Sequence, residues 1–361
     1  KQQCLPVQYG INMSATEVPL PNGSSYYVPD VDVDMDDVID ITEADQETFA
    51  SFREWTDSYN EYILKTWSEK NSDAMSHADT ALADDLSNVF EASAGESTIS
   101  DTTVANIATG VADSVQRQFG GQSERKGFKL RMSNIGRPSC QLWWQKNHPS
   151  EASPLPYNFI MNMLLGDVVE VVFKALLDEA NVSYKDSDTV EFTVPGSAGE
   201  ASTKVKGTYD IVIDGKVDDI KSASSWSYTN KFASFDTLNA GDAFGYVGQL
   251  VAYASASGYD VGGWWVVNKA NGEFKYVPAE GVNVMETMYN IKKTVHNVNN
   301  DILVREYEPV YESFNGKKTG NTVLDKNCSF CSYKKSCWPS MTTLPSIPSK
   351  AKNRKMVDYV T

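Results

Sequence analysis

The stretch from Asp214 to Trp226, DGKVDDIKSASSW, sets two adjacent aspartates and a lysine in a strand-like run directly after a turn. An unpaired ion inside a buried strand costs several kcal/mol or changes its protonation state, so charge here marks a wet surface or something bound. Period-two alternation puts Asp219 and Lys221 on one face of the strand, with Asp218 and Ile220 on the other. In the preceding run, GTYDIVID, Asp210 falls near the hairpin partner of the Asp219 face. Two carboxylates converging from paired strands can hold a divalent cation, and a neighbouring lysine can steady an attacking hydroxide or a developing phosphate charge. An edge hairpin with solvated charges accounts for these residues equally well.

Two helical patterns add to the set. In GQLVAYASA, Gln249 and Tyr253 stand at i and i+4 on one face, where both could reach a phosphate or a terminal nucleotide; plain packing is the alternative for such a pair. Upstream, LLGDVVEVVFKALL is apolar except for Asp167 and Glu170. Charge on so apolar a helix asks for a partner, which a cation held by Asp210 and Asp219 would supply; a narrow solvated stripe is the other reading. After the DDIK strand, SSWSYTNKF offers Trp226, Tyr228 and Phe232 around Lys231, a pattern suited to stacking unpaired nucleotides and equally to core packing.

The elements that must position these groups follow from the pattern. Helices are expected from Thr42, around 77–92 and over 103–119, after an irregular, proline-bearing stretch to residue 40. GGQSERKG then marks a boundary. Helices over 139–147 and 158–181 come next, followed by the strands TVEFTV, TKVKGTYDIVI and KVDDIKS. The last two are joined by Asp214-Gly215, a tight-turn signal. A helix at about 241–257, the strands GGWWVVN and EFKYV, and a helix from about 280 to 305 complete an α/β core whose first half is largely antiparallel.

The chain has 361 residues, 41% hydrophobic, with a net charge of −16. That charge is uneven. Residues 1–116 carry 22 acids and 4 bases, whereas 117–361 carry 26 and 28, so repulsion from a polyanion cannot be assumed for the second part. The expected organisation is an acidic N-terminal region over 1–116, irregular and then helical, and a second domain over 117–361. The acidic region suits a solvated accessory domain; alternatively it binds a basic partner or occupies the site as a mimic of DNA charge. There is no apolar run of about 18 residues and no signal-peptide pattern, so no membrane partner and a cytoplasmic setting are expected. Of the five cysteines, Cys328, Cys331 and Cys337 crowd together near the C-terminus, and clustered cysteines in a long chain more often bind metal than form a disulfide framework.

Taken together, Glu170, GTYD with Asp210, DIK with Asp219 and Lys221, and QLVAY with Gln249 and Tyr253 resemble the PD-(D/E)XK nuclease superfamily, in its RecB-like branch. Many relatives carry histidine at the helical position where Glu170 stands, with Asp167 as the fallback. Cys140 ahead of these motifs, with Cys328, Cys331 and Cys337 behind them, resembles the iron–sulfur members, among them AddB, CRISPR-adaptation exonucleases and phage exonucleases. The resemblance covers roughly residues 128–340. It implies a mixed central sheet flanked by helices and one or two Mg²⁺ or Mn²⁺ ions on Glu170, Asp210, Asp219 and the Ile220 carbonyl. It also implies Lys221 as the group orienting a hydroxide, Gln249 and Tyr253 positioning the strand, and DNA ends or single strands as substrate. Four thiolates would hold a [4Fe–4S] cluster; four sulfurs alone suit zinc as well. The implied activity is a DNA exonuclease of recombination, repair or phage DNA metabolism, with an endonuclease or a DNA-end-binding module of low activity as alternatives.

Overall fold

The computed structural model describes residues 15–19, 25–29, 99–120, 127–154, 158–196 and 201–360. The expected helices from Thr42 and around 77–92 lie outside the described residues. The chain divides into two compact units, residues 1–70 with 197–199 and residues 71–196 with 200–361. In the first, β1 (Ala15–Pro19) pairs antiparallel with β2 (Ser25–Pro29), where the sequence predicts irregular chain. The run Pro21-Asn22-Gly23 between them is turn-forming sequence that could have signalled it.

In the second unit, α1 (Asp101–Phe119) is capped by Ser100, whose side chain accepts from Thr103 N. The expected break at 116/117 therefore falls inside a helix, and the boundary of the compact unit lies earlier, before Asn71. The short α2 (Met132–Ile135) and α3 (Ser139–Asn147) lead to α4 (Asn158–Glu179), against which α1 packs. Arg117 and Gln118 of α1 reach Asp167 on α4 at 3.1 and 2.8 Å.

The strands then run β3 (Tyr184–Asp186), β4 (Thr189–Val194), β5 (Thr203–Thr208), β6 (Ile211–Ile213) and β7 (Lys216–Ala223). Helices α5 (Phe235–Asn239) and α6 (Tyr246–Ser257) connect β7 to β8 (Asp260–Asn268), and β9 (Phe274–Pro278) precedes α7 (Val284–Asn299). The central sheet has the order β3-β6-β7-β8-β9; β7 and β8 are parallel and every other neighbouring pair is antiparallel. This is a mixed sheet flanked by helices. TKVKGTYDIVI is not one strand, as predicted, but two: β5 pairs with β4 in a separate two-stranded sheet, and β6 joins the central sheet. The tight turn between β6 and β7 forms as expected, with positive φ at Asp214 (49°) and Gly215 (76°), the twist that suits a two-residue hairpin.

The core on one face of the sheet is Phe173 and Leu177 of α4 against Ile211, Ile213, Ile220 and Trp265. Past α7, the C-terminal segment builds a second sheet that the sequence reading did not anticipate. Its strands are β10 (Val310–Phe314), β11 (Lys317–Val323), β12 (Thr342–Pro345) and β13 (Met356–Tyr359), in the order β10-β11-β13-β12, with α8 (Lys334–Cys337) between β11 and β12. Its buried Glu312 accepts from Tyr359 Oη (2.9 Å), Thr319 Oγ1 (2.7 Å) and Asn321 Nδ2 (2.7 Å). Among the described residues no helix is long and apolar enough to cross a membrane.

Candidate active site

The pleat of β7 separates the adjacent aspartates as alternation requires, and their surroundings differ. Asp218, 3% exposed, accepts hydrogen bonds from Gly263 N (2.7 Å), Tyr276 Oη (2.9 Å) and Trp265 Nε1 (3.2 Å). It is a satisfied structural carboxylate. Asp219 is 1% exposed, and neither of its carboxylate oxygens accepts a formed hydrogen bond. Its company is the Lys221 ammonium, pressed against Oδ2, and the carboxyl of Asp210. A buried carboxylate is costly unless it is paired, and here the pairing charge is Lys221.

Asp210 sits in the gap between β5 and β6, where the chain passes from one sheet to the other, and its Oδ2 accepts from Ile220 N at 2.8 Å. Burial first, and the Asp219 charge second, push its carboxyl up to about 7, against the pull of Lys221. The Asp219 carboxyl is raised in the same way, chiefly by burial. Burial works against the Lys221 ammonium, but the two aspartates outweigh it and hold its pKa above the ordinary lysine value. Glu170 on α4 joins this field. Burial and then Asp210 raise its carboxyl, and Lys174 one turn on holds its Oε1 at 2.8 Å while also reaching Asp186 at 2.9 Å. Glu170, Asp210, Asp219 and Lys221 are thus within electrostatic reach of one another. Asp167 is not among them, being taken up by α1.

On α6, Gln249 Nε2 donates to Tyr253 Oη at 3.2 Å, and burial pushes the Tyr253 hydroxyl up to about 12, with Asp219 and Asp210 adding to it. Gly207 makes room for this tyrosine: a β-carbon there would lie 2.6 Å from Tyr253 Cε1 and from Met132 Cβ. Gly245 opens α6 with φ 75°, and its own β-carbon would fall 2.2 Å from the Gly136 carbonyl carbon, so the chain ahead of Cys140 lies directly on the start of α6.

Sequence reasoning missed Tyr246. Its ring stacks on Phe232 (5.9 Å) and Phe244 (5.7 Å), with Lys221 Nζ at 5.3 Å and Lys231 Nζ at 4.3 Å from its centroid. Its place three residues before Gln249 and seven before Tyr253, on the same face of one helix, was the available signal. Of the aromatics around Lys231 in the sequence, Phe232 is buried, Tyr228 lies under Lys275 (4.4 Å), and Trp226 is 69% exposed. Lys174 was legible as an i,i+4 partner of Glu170.

Cys140, Cys328, Cys331 and Cys337 line one pocket, walled by Trp144 and Trp338. Burial, reinforced by the neighbouring thiols, pushes Cys328 up to about 12 and Cys140 to about 11. Cys4 lies outside the described residues. Protein contacts also close this region: Ser153 N donates to Ser332 O (2.8 Å), Trp144 stacks on Tyr333, and Arg305 lies over Trp338 while donating to Cys337 O (2.9 Å). Lys334 of α8 pairs with Asp358 of β13 at 2.6 Å.

Among the described residues no three His, Cys, Asp or Glu side chains are spaced as ligands to one ion. In this arrangement lysines stand where a cation would, Lys221 on Asp219 and Lys174 on Glu170. The donors fit a hard divalent cation all the same, because the Asp210 and Asp219 carboxyls are buried beside each other and Asp219 Oδ1 accepts no formed hydrogen bond. The four thiols line one pocket and are of the type that holds a tetrahedral metal or a cluster, without being drawn in to ligand spacing.

No protein-family model matches the chain, and no curated protein matches it by sequence. Among solved structures, the one titled "Crystal structure of SSO0001" is similar over 63% of this chain and 93% of its own, at 12% identity and a TM-score of 0.37, a likeness too distant to carry an argument.

Proposed function

We propose that the second unit is a PD-(D/E)XK-type nuclease of the RecB-like branch, a metal-dependent DNA exonuclease. The observation that carries this reading is Asp219: an acid 1% exposed, without a formed hydrogen bond, beside a second raised carboxyl and a lysine held as its ammonium. A purely structural strand has no use for that arrangement, as the fully bonded Asp218 next to it illustrates. Asp210, Asp219, Glu170 and the Ile220 carbonyl would hold one or two Mg²⁺ or Mn²⁺ ions, which lower the pKa of bound water and offset charge on the phosphate. Lys221, kept protonated by its neighbours, orients the attacking water and stabilises the phosphate oxygens. Gln249 and Tyr253 position the strand. Cys140, Cys328, Cys331 and Cys337 would hold a [4Fe–4S] cluster, or zinc, that ties the C-terminal segment to the start of the domain.

The test is digestion of end-labelled linear and closed circular DNA with each metal. Linear DNA is degraded and circles survive if the enzyme is an exonuclease; nicked circles indicate an endonuclease. Lys221→Ala and Asp219→Asn each lower the rate by about 100-fold or more, the scale of losing a preorganised charge at a phosphoryl centre. Undiminished cleavage by Lys221→Ala removes the assignment, and tight binding of DNA ends by a wild type inactive with Mn²⁺ favours the end-binding module.

A further inference from the structure

The cysteine loop carries an aromatic residue that neither packing nor metal binding explains. Phe330 lies between Cys328 and Cys331 and is 71% exposed, although burying such a ring is ordinarily worth about 2 kcal/mol. Its one ring contact among the described residues is Phe244, 5.4 Å away and tilted by 43°. Phe244 in turn stacks on Tyr246 at 5.7 Å and 16°, and Tyr246 lies 5.3 Å from Lys221 Nζ. Lys231 Nζ is held over both inner rings, 4.6 Å from Phe244 and 4.3 Å from Tyr246, with the Asp242 carboxylate 3.9 Å away on its other side. A staircase of three rings, flanked by an ammonium, thus descends from an exposed face to the lysine beside Asp219.

We propose that Phe330 and Phe244, with Lys231 alongside, form a stacking platform for the bases of an unpaired DNA strand whose backbone leads toward Lys221. The identity of the ligand rests on the nuclease reading above. Rings interleaved with a cation suit such a strand because every base has a π-face and every linkage a negative charge, so stacking and charge pairing act together without selecting sequence. Duplex DNA offers no free base faces, and an apolar protein segment would have no use for the ammonium on the rings. The platform also gives the cysteine loop a second duty: by fixing Cys328 and Cys331, the fold fixes the ring between them.

The experiment uses the full chain in EDTA, so that binding is measured without cleavage. The probe is a single-stranded 12-mer carrying 2-aminopurine, read by anisotropy for affinity and by fluorescence quenching for stacking. Phe330→Leu keeps an apolar contact with Phe244 and removes the π-face. It is expected to weaken binding about tenfold, within the range for one lost base–aromatic stack, and to abolish the quench while the melting temperature stays at the wild-type value. Phe330→Trp is expected to restore both. Wild-type affinity and quench in Phe330→Leu, or duplex bound as tightly as single strand without a quench, overturns the platform. A parallel Mn²⁺ digestion by the wild type separates the two failures. If the wild type cleaves and the leucine variant binds normally, the platform alone is wrong. A wild type that neither cleaves nor binds the 12-mer removes the nuclease reading and the platform with it.

Discussion

Asp218 and Asp219 differ by one position along a pleat, and almost everything about them follows from that. Asp218 receives three donors, so Asp218→Ala strands Gly263 N, Tyr276 Oη and Trp265 Nε1 in the interior and should cost about 3 kcal/mol or more, read as a lower midpoint in urea. Asp219→Asn should abolish cleavage and, because it takes away the charge paired with the largely buried Lys221 ammonium, lower the cation-free melting temperature as well. The pH dependence has a definite sign. Folding raises the carboxyls of Asp210 and Asp219; for Asp210 the folded chain therefore binds more protons than the unfolded one between the ordinary carboxylate range and about 7. The Asp210 contribution to cation-free stability is complete at the acid end of that range and is lost as pH rises through about 7, and Asp219 acts in the same direction. Melting curves of Asp219→Asn should show a flatter decline. At this scale the sequence was informative about Asp219, Lys221 and Asp210, because strand period and turn chemistry are local. The donors on Asp218 were not legible, since they come from β8 and β9, some 45 to 58 residues away.

At the scale of elements, the run read as one strand before the turn is two, broken at Tyr209-Asp210, and the break places Asp210 between two sheets, beside the β7 backbone. Period alone could not reveal it, because β5 and β6 keep β-forming residues throughout and differ only in partner. The helices α1, α3 and α4 came close to their expected limits, their apolar spacing being a property of the segment itself, whereas α6 starts five residues later than expected, after Gly245. The C-terminal sheet escaped notice because β10 to β13 are short and held by long-range contacts such as Lys334 to Asp358. Those contacts bear on the cysteine pocket. Cys331→Ser should lose the visible sulfur-to-iron absorption and the bound iron on anaerobic purification, with a lower melting temperature. The Ser153–Ser332 and Arg305–Cys337 bonds should still hold the segment near α3, so the loss is expected to be partial rather than complete unfolding. A colourless, zinc-loaded wild type would reject iron in favour of the other four-sulfur metal.

For the molecule as a whole, the division of charge near residue 116 and the division of structure near residue 70 are different boundaries. Truncation distinguishes them. Removing residues 1–70 leaves the compact unit whole and should give a soluble protein with a cooperative melt. Removing 1–116 cuts away most of α1, exposes the side of α4 around Val171 that faces Gly110, and should lower the melting temperature markedly. If the acidic region acts as a mimic of DNA charge, either deletion raises DNA affinity at low salt; unchanged affinity in the shorter deletion leaves a solvated accessory region.

The position of β7 in its sheet has one more consequence. Its start, Lys216–Asp218, is paired with β6, whereas Asp219–Ala223 runs past the end of β6 and is paired with β8 alone, the Ile220 amide being held by the Asp210 carboxylate instead. Deuterium uptake at Val217 should therefore require opening of the central sheet, while the Ile220 amide is protected only as long as Asp210 holds it. An ion that binds Asp210 and Asp219 together should slow exchange at Ile220 first, a local signature visible with no substrate added.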